Sequence, residues 1–241
     1  MSGSVVIANW KMNLTKRDAI TFCKKLLALD HTKQHTIILA VPSVYLGLLA
    51  SIFPSLIFAG QDVSVHKEYG PHTGEISAAM LQSCQVNYSI IGHSERRIGH
   101  FDDNQTTKIK VQNCLSTEVT PIICVGEPLE VRKRGEYLPY IKKQLLESIP
   151  HGAKDGSFIL AYEPIWAIGT GIVPTKEELQ EVCECIMDVA RPASLVYGGS
   201  VNSQNIDTLS EIKSLDGLLV GSASLDSAEF IRIVEYWIGK C

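Results

Sequence analysis

The sequence predicts an α/β fold, a (β/α)₈ barrel formed as a single domain over residues 1–241. Three observations predict it. Short apolar runs of strand length alternate with longer helical patterns, giving eight strands at roughly 30 residues per unit, the spacing of a βα repeat. The runs are rich in Val, Ile and Leu and lack clean polar alternation, as expected of parallel strands covered on both faces. The 241 residues contain no Pro/Ser-rich linker, charge block or low-complexity tract that would divide them. A doubly wound open sheet would carry a GxGxxG or P-loop signature after an early strand, and neither is present.

The elements follow in chain order. Val5 to Asn9 is an apolar run closed by an amide residue, and Lys16 to Leu29 carries helical periodicity. Ile37 to Val41, Leu56 to Gly60 and Tyr88 to Gly92 are the next strand-length runs. A helix over Asn104 to Ser116 leads to a strand over Thr120 to Val125, and a helix over Glu136 to Ser148 leads to one over Phe158 to Tyr162. Pro164 forbids extending that sixth strand. The helix Glu177 to Ala190 opens with Thr175 as N-cap and Glu178 three residues on, the pattern of a capping box. Leu195 to Tyr197 and Gly217 to Val220 complete the eight strands, and Ala228 to Gly239 is the closing helix. The stretch Gln61 to Gly74 is long, polar and without either period, which in a compact domain points to a loop with a function.

Hydrophobic residues make up 45% of the chain and charged residues 20%, with a net charge of −4. That balance excludes nucleic acid and anionic membrane surfaces as partners, because both demand a basic footprint. It still allows a small anionic substrate held by a few local donors. The seven cysteines, at 23, 84, 114, 124, 183, 185 and 241, are odd in number and form no CxxC pair. They read as reduced thiols of a cytoplasmic protein. The N-terminus MSGSVVIANWKMN shows no secretory signal, and no apolar run reaches the roughly 18 residues of a membrane span.

In a (β/α)₈ barrel the active site is built at the C-terminal ends of the strands. The chemistry-capable residues fall there: Asn9 and Lys11 after the first strand, His93, Ser94 and Glu95 after the fourth, Glu163 after the sixth. Gly198, Gly199 and Ser200 follow the seventh, and Gly221 and Ser222 the eighth. If the extended backbone persists through Asn9-Trp10-Lys11, Trp10 points away and the other two lie side by side toward the barrel mouth. Glu163 ends a buried strand next to a Gly-containing flap over 164–174 with bulky Trp166 and Ile168, so it is a candidate general base whose carboxyl group is strengthened by burial. His93 at a helix N-terminus is disposed to remain neutral and to donate a hydrogen bond. Glu95 is placed to hold Lys11. The two Gly/Ser clusters after strands seven and eight stand where barrels bind phosphate through backbone amides, and Gly169 can add another. Taken singly, each has a plain structural alternative: a satisfied core histidine, a surface lysine, a solvated strand-end glutamate, ordinary turns.

The motifs ANWKMN (8–13), GQDVS (60–64), TGEIS (73–77), IIGHSERR (90–97), PIICVGE (121–127), AYEPIWAIGTG (161–171), YGGSV (197–201) and LLVGSAS (218–224) together resemble the triosephosphate isomerase family along essentially the whole chain. The resemblance implies the TIM barrel and a cofactor- and metal-independent isomerase of glycolysis and gluconeogenesis. Its reaction interconverts dihydroxyacetone phosphate and D-glyceraldehyde 3-phosphate through an enediolate. It implies Glu163 as base, neutral His93 as electrophile and proton shuttle, Lys11 and Asn9 as charge stabilisers, and Glu95 as the partner of Lys11. Amides of Gly169, Ser200, Gly221 and Ser222 would hold the phosphate, and Ile168 and Leu219 would enclose Glu163. It further implies a homodimer in which the Thr73 loop reaches the partner's site. The chain departs from the family pattern twice. Ser222 replaces a second glycine, which predicts backbone strain. Pro174 stands at the flap's C-terminal hinge, where it cannot offer an N–H to the hydroxyl of Tyr197, which predicts a different closing contact and a stiffer hinge. The alternatives are another phosphate-binding barrel enzyme, an epimerase or aldolase, and a catalytically silent barrel.

Overall fold

Alternating inward and outward side chains decide the architecture. In the computed structural model, residues 4–29, 35–170 and 172–240 are described, so Gly171 of the flap and Cys241 lie outside the description. Strands β1 (Val5–Asn9), β2 (Thr36–Ala40), β3 (Ile57–Gly60), β4 (Tyr88–Ile91), β5 (Thr120–Val125), β6 (Ile159–Tyr162), β7 (Ser194–Tyr197) and β8 (Gly217–Val220) are parallel and pair in chain order, with β8 closing on β1. Val5 and Ile7 of β1 join Ile38, Ile90, Ile122, Ala161, Val196 and Leu219 in a cluster that fills the barrel. Val6 and Ala8 point outward, into the larger layer between the strands and the helices. Both faces are apolar, so the alternation that marks a half-exposed strand is hidden in the sequence.

The helices are α1 (Lys16–Leu27), α2 (Ser43–Ile52), α3 (Ala78–Ser83), α4 (Ser94–Gly99), α5 (Asn104–Leu115), α6 (Leu129–Lys133), α7 (Tyr137–Ser148), α8 (Lys176–Val189), α9 (Ile206–Ser210) and α10 (Ser227–Lys240). The predicted strands and long helices are all present, with ends moved by one or two residues. The Thr175–Glu178 capping box at the start of α8 is formed in both directions. Sequence reading passed over α2, whose SVYLGLLASI is apolar nearly all round and leaves Val44, Leu48 and Ile52 exposed. It also passed over α3, α6 and α9, which are too short to display a period. Among the described residues no helix is long and apolar enough to cross a membrane.

One expectation fails in detail. The extended backbone does not persist beyond Asn9: Lys11 has φ of +50°, and its amide donates to the Asn9 Oδ1 at 3.0 Å. Trp10 nonetheless points away from the mouth, fully buried and edge-on to Phe22 of α1 at 5.0 Å. The stretch Gln61 to Gly74 has no helix or strand, as predicted. Beside it a partly buried charge cluster ties the loop to α5: the Lys110 Nζ lies 2.7 Å from Asp62 and 2.6 Å from Asp102, and the Arg96 Nη2 lies 2.9 Å from Asp62.

Candidate active site

The mouth of the barrel holds a cavity of about 260 Å³ lined by Asn9, Lys11, His93, Glu163, Ile168, Gly169, Ser200, Leu219, Gly221 and Ser222, together with Gly198 and Gly199. The residues singled out for chemistry or substrate binding from the sequence therefore meet at one place, Ser94 and Glu95 apart. Ser94 is buried, with its amide on Glu163, and Glu95 stands at the rim, with a side chain 58% exposed, and holds the Lys11 Nζ at 2.6 Å. Asn9 is buried at the end of β1. Gln61 supports the turn that presents Lys11, donating from Nε2 to the carbonyls of Lys11 at 2.9 Å and Ala40 at 3.1 Å.

His93 caps α4. Its Nδ1 accepts the backbone N–H of Glu95 at 3.2 Å, so this nitrogen carries no proton and the ring's hydrogen sits on Nε2, which faces the cavity. Nε2 lies 3.3 Å from the Glu163 Oε1. The Glu163 side chain is 2% exposed. Its Oε2 accepts the Ser94 amide at 3.3 Å, while Oε1 has no hydrogen-bond partner. The buried Oε1, left without a hydrogen bond, faces the His93 ring in the cavity. Cys124 of β5 is fully buried beside it, and that burial, reinforced by the Glu163 charge, pushes the thiol well above its ordinary value.

Glycines give this carboxylate its space. A Cβ on Gly126 would stand 1.8 Å from the Glu163 carbonyl oxygen, and one on Gly198 would stand 2.8 Å from its Cγ. Sequence reading missed Gly126. Its only signal is its position at the end of β5, directly before Glu127 in PIICVGE. Asn202 and Ala223, which also line the cavity, follow the Gly/Ser clusters and have no distinguishing signal.

The flap is anchored on its N-terminal side. Trp166 donates from Nε1 to the Glu127 Oε1 at 2.9 Å, and the Ser200 hydroxyl donates to the Ala167 carbonyl at 2.6 Å. Burial raises the Glu127 carboxyl above its usual value, against the pull of Trp166 and Arg132. Gly169 has φ of +68°, so the flap turns where a side chain would be strained. Ile172, close by, is 53% exposed.

The two departures from the family pattern turn out differently. Ser222 opens a short 3₁₀ turn over Ser222–Leu225 and is not among the non-glycine residues with positive φ. The predicted strain is absent because this turn uses backbone angles open to any residue. Pro174 is buried, and the hydroxyl of Tyr197 is buried without a hydrogen-bond partner. Thr73 is exposed and does not line the cavity. Among the described residues no group of three or more His, Cys, Asp or Glu is arranged to hold a metal ion.

The triosephosphate isomerase family model matches residues 4–237. A triosephosphate isomerase of Orientia tsutsugamushi (strain Ikeda) is 38% identical over 244 residues, covering 96% of this chain and 97% of the relative. That of Rhodococcus jostii is 36% identical over 247 residues, covering 95% and 94%. The crystal structure of triosephosphate isomerase from Bartonella henselae superposes with a TM-score of 0.85 at 31% identity, covering 97% of this chain and 98% of that one.

Proposed function

The chain belongs to the triosephosphate isomerase family and interconverts dihydroxyacetone phosphate and D-glyceraldehyde 3-phosphate, and on that premise we propose which of its residues carry out each step. Glu163 removes the proton from the carbon beside the carbonyl and returns it to the neighbouring carbon. The Nε2–H of His93 polarises the carbonyl and passes protons between the two oxygens. Lys11 and Asn9 face the negative charge that develops on the enediolate. The backbone amides of Gly169, Ser200, Gly221 and Ser222 hold the phosphate, which offsets the unfavourable global charge with local donors. No cofactor or metal enters these steps. One observation carries the reading: a buried carboxylate and a singly protonated imidazole stand 3.3 Å apart in the cavity that also receives Lys11 and the Gly/Ser turns.

Ile168 and Leu219 enclose Glu163 when the flap 164–174 closes, which excludes water from the base and protects an enediolate that would otherwise shed its phosphate. Because Pro174 offers no N–H, the closed flap relies on a contact other than one from that position to Tyr197.

The functional unit of this proposal is a cytoplasmic homodimer, with Thr73 reaching the partner's Asn9, Lys11 or Glu95. Large apolar side chains stand exposed along the βα segments that follow β1 to β4: Met12 at 95%, Val44 at 78%, Tyr69 at 69% and Phe101 at 86%. Exposed apolar side chains on successive βα segments supply a surface for a second subunit. The six described cysteines are free thiols, consistent with a reducing compartment.

The site assignment is tested with Glu163→Asp. The shortened carboxylate misplaces the base while leaving the phosphate amides alone, so kcat falls and the affinity for a phosphate-bearing substrate analogue holds. Turnover equal to the parent enzyme would remove Glu163 as the base. Loss of parent turnover on adding EDTA would instead favour metal-assisted chemistry.

A further inference from the structure

Arg97 lies outside the cavity, yet its guanidinium is the group that joins the strand bearing the imidazole to the strand supporting the carboxylate. The β4–β5 ladder ends at Ile91 opposite Ile123, whereas β5 runs on, pairing Cys124 with Ala161 and Val125 with Tyr162 of β6. Past that point no further β4–β5 pair forms, and Gly92 and Cys124 are the next residues of the two segments. Arg97 joins them. Its Nε donates to the Gly92 carbonyl at 2.7 Å, and its Nη2 donates to the Cys124 carbonyl at 3.2 Å. The far side of the guanidinium is fixed by the Asn104 Oδ1 at 2.8 Å and the Ser148 hydroxyl at 3.4 Å.

What the fork holds adjoins the supports of both reacting groups: Gly92 directly precedes His93, and Cys124 directly precedes Val125, whose carbonyl accepts the Glu163 amide. Gly92 has φ of +68°, and a Cβ there would stand 2.9 Å from the Arg97 Nη2, so the turn and the guanidinium are fitted to each other. The next residue is His93. Glu163 rests on β5 in turn, through its amide to the Val125 carbonyl at 2.7 Å and its carbonyl packed over Gly126. A planar five-donor group reaches both carbonyls at once, which an ammonium on a flexible stem does not reproduce. Desolvation lowers the guanidinium pKa from its usual value, opposed by Cys124, Tyr140 and Glu163 among its neighbours. An arginine still keeps its charge throughout the working pH range.

We infer that Arg97 is a positioning residue for the isomerisation: by bridging the Gly92 and Cys124 carbonyls it replaces the missing rungs between β4 and β5 and sets the separation of the His93 imidazole and the Glu163 carboxylate. The inference rests on Glu163 and His93 being the base and the electrophile. It does not involve the phosphate amides, and that distinction makes it testable.

The experiment measures kcat and KM for glyceraldehyde 3-phosphate with Arg97→Lys and Arg97→Ala, after counting competent sites by titration with a phosphate-bearing analogue. A misplacement of several tenths of an ångström lowers kcat per competent site by roughly 4- to 25-fold while KM stays within about threefold. Added guanidinium restores part of the Arg97→Ala rate, and methylammonium at the same concentration does not. A kcat per competent site within about threefold of the parent overturns the inference, as does a loss seen only in the fraction of competent sites. Asn104→Ala and Ser148→Ala leave the arginine in place but free its far side. They decrease kcat in the same direction and settle the matter should the Arg97 variants fail to fold, and unchanged kcat in both would then refute it. Glu163→Gln assayed alongside separates the two levels: full activity there removes the base assignment, whatever the arginine variants do.

Discussion

Replacing Gly198 with Ala tests how closely the barrel mouth defines the position of the base. The backbone of Gly198 is not in the left-handed region, so alanine meets no torsional objection there. The obstacle is contact. The new Cβ would stand 2.8 Å from the Glu163 Cγ and 3.4 Å from both its Oε1 and the Leu219 Cδ2. Carbon atoms settle at about 3.5–4.0 Å, so the methylene must retreat by at least about 0.7 Å, the difference between 3.5 and the 2.8 Å in the structure. The main chain of Glu163 cannot absorb the movement, since its amide is bonded to Val125 at 2.7 Å and its carbonyl packs against Gly126. The displacement therefore passes into the side-chain torsions and moves the carboxylate relative to the Nε2 of His93. Scaling from about 100-fold per ångström of misplacement gives a fall in kcat on the order of 25-fold, about 1.9 kcal/mol of barrel-mouth geometry. Initial rates with glyceraldehyde 3-phosphate in a coupled dehydrogenase assay give kcat and KM, and circular dichroism gives Tm. A folded variant with kcat within twofold of the parent would show that the carboxylate is not confined as described. An equal loss appearing as a raised KM would place the damage at the phosphate turns instead.

Other perturbations separate structural from catalytic contributions. Lys110→Met leaves Asp62 and Asp102 with Arg96, 2.9 and 3.4 Å away, in place of their shared ammonium, and lowers stability by about 1–3 kcal/mol, read from urea unfolding. Desolvation already raises the Asp62 pKa in the folded state, with Lys110 opposing it. Removing the lysine raises it further, so the folded variant binds a proton more tightly than the unfolded chain. The stability from that proton is present below the ordinary carboxylate pKa and is lost as pH rises through the folded value; the deficit of the variant should thus be smaller in mild acid than at neutral pH, and a larger deficit in acid would contradict it. Ser222→Gly should leave kcat and KM within about twofold, because Ser222 is not in a conformation that needs glycine; a marked gain would restore the idea of strain there. Tyr197→Phe deletes a buried hydroxyl without a partner, so Tm should hold or rise slightly and kcat should remain within about threefold. A tenfold loss of kcat with unchanged Tm would show that the hydroxyl finds a partner when the flap closes.

The eight strands, the long helices and the order of the site residues could be determined from the sequence alone, because each is a local property. Strand-length Val/Ile/Leu runs, the Thr175–Glu178 capping box and the polar residues placed just after strands are all set by neighbours within a few positions. A barrel converts that order into proximity, since every strand ends at the same mouth. This explains why Asn9, His93, Glu163 and Ser222, far apart in the chain, line one cavity. Tertiary structure alone decided what depends on non-local distance. The room made for Glu163 by Gly126 and Gly198 is defined by atoms on other strands, and the bridge from Arg97 to the Gly92 and Cys124 carbonyls depends on where the β4–β5 ladder ends. The ease of Ser222 and the left-handed turn at Lys11 were likewise invisible in residue identity, because backbone angles there follow from how the loops close on the barrel and not from local preference.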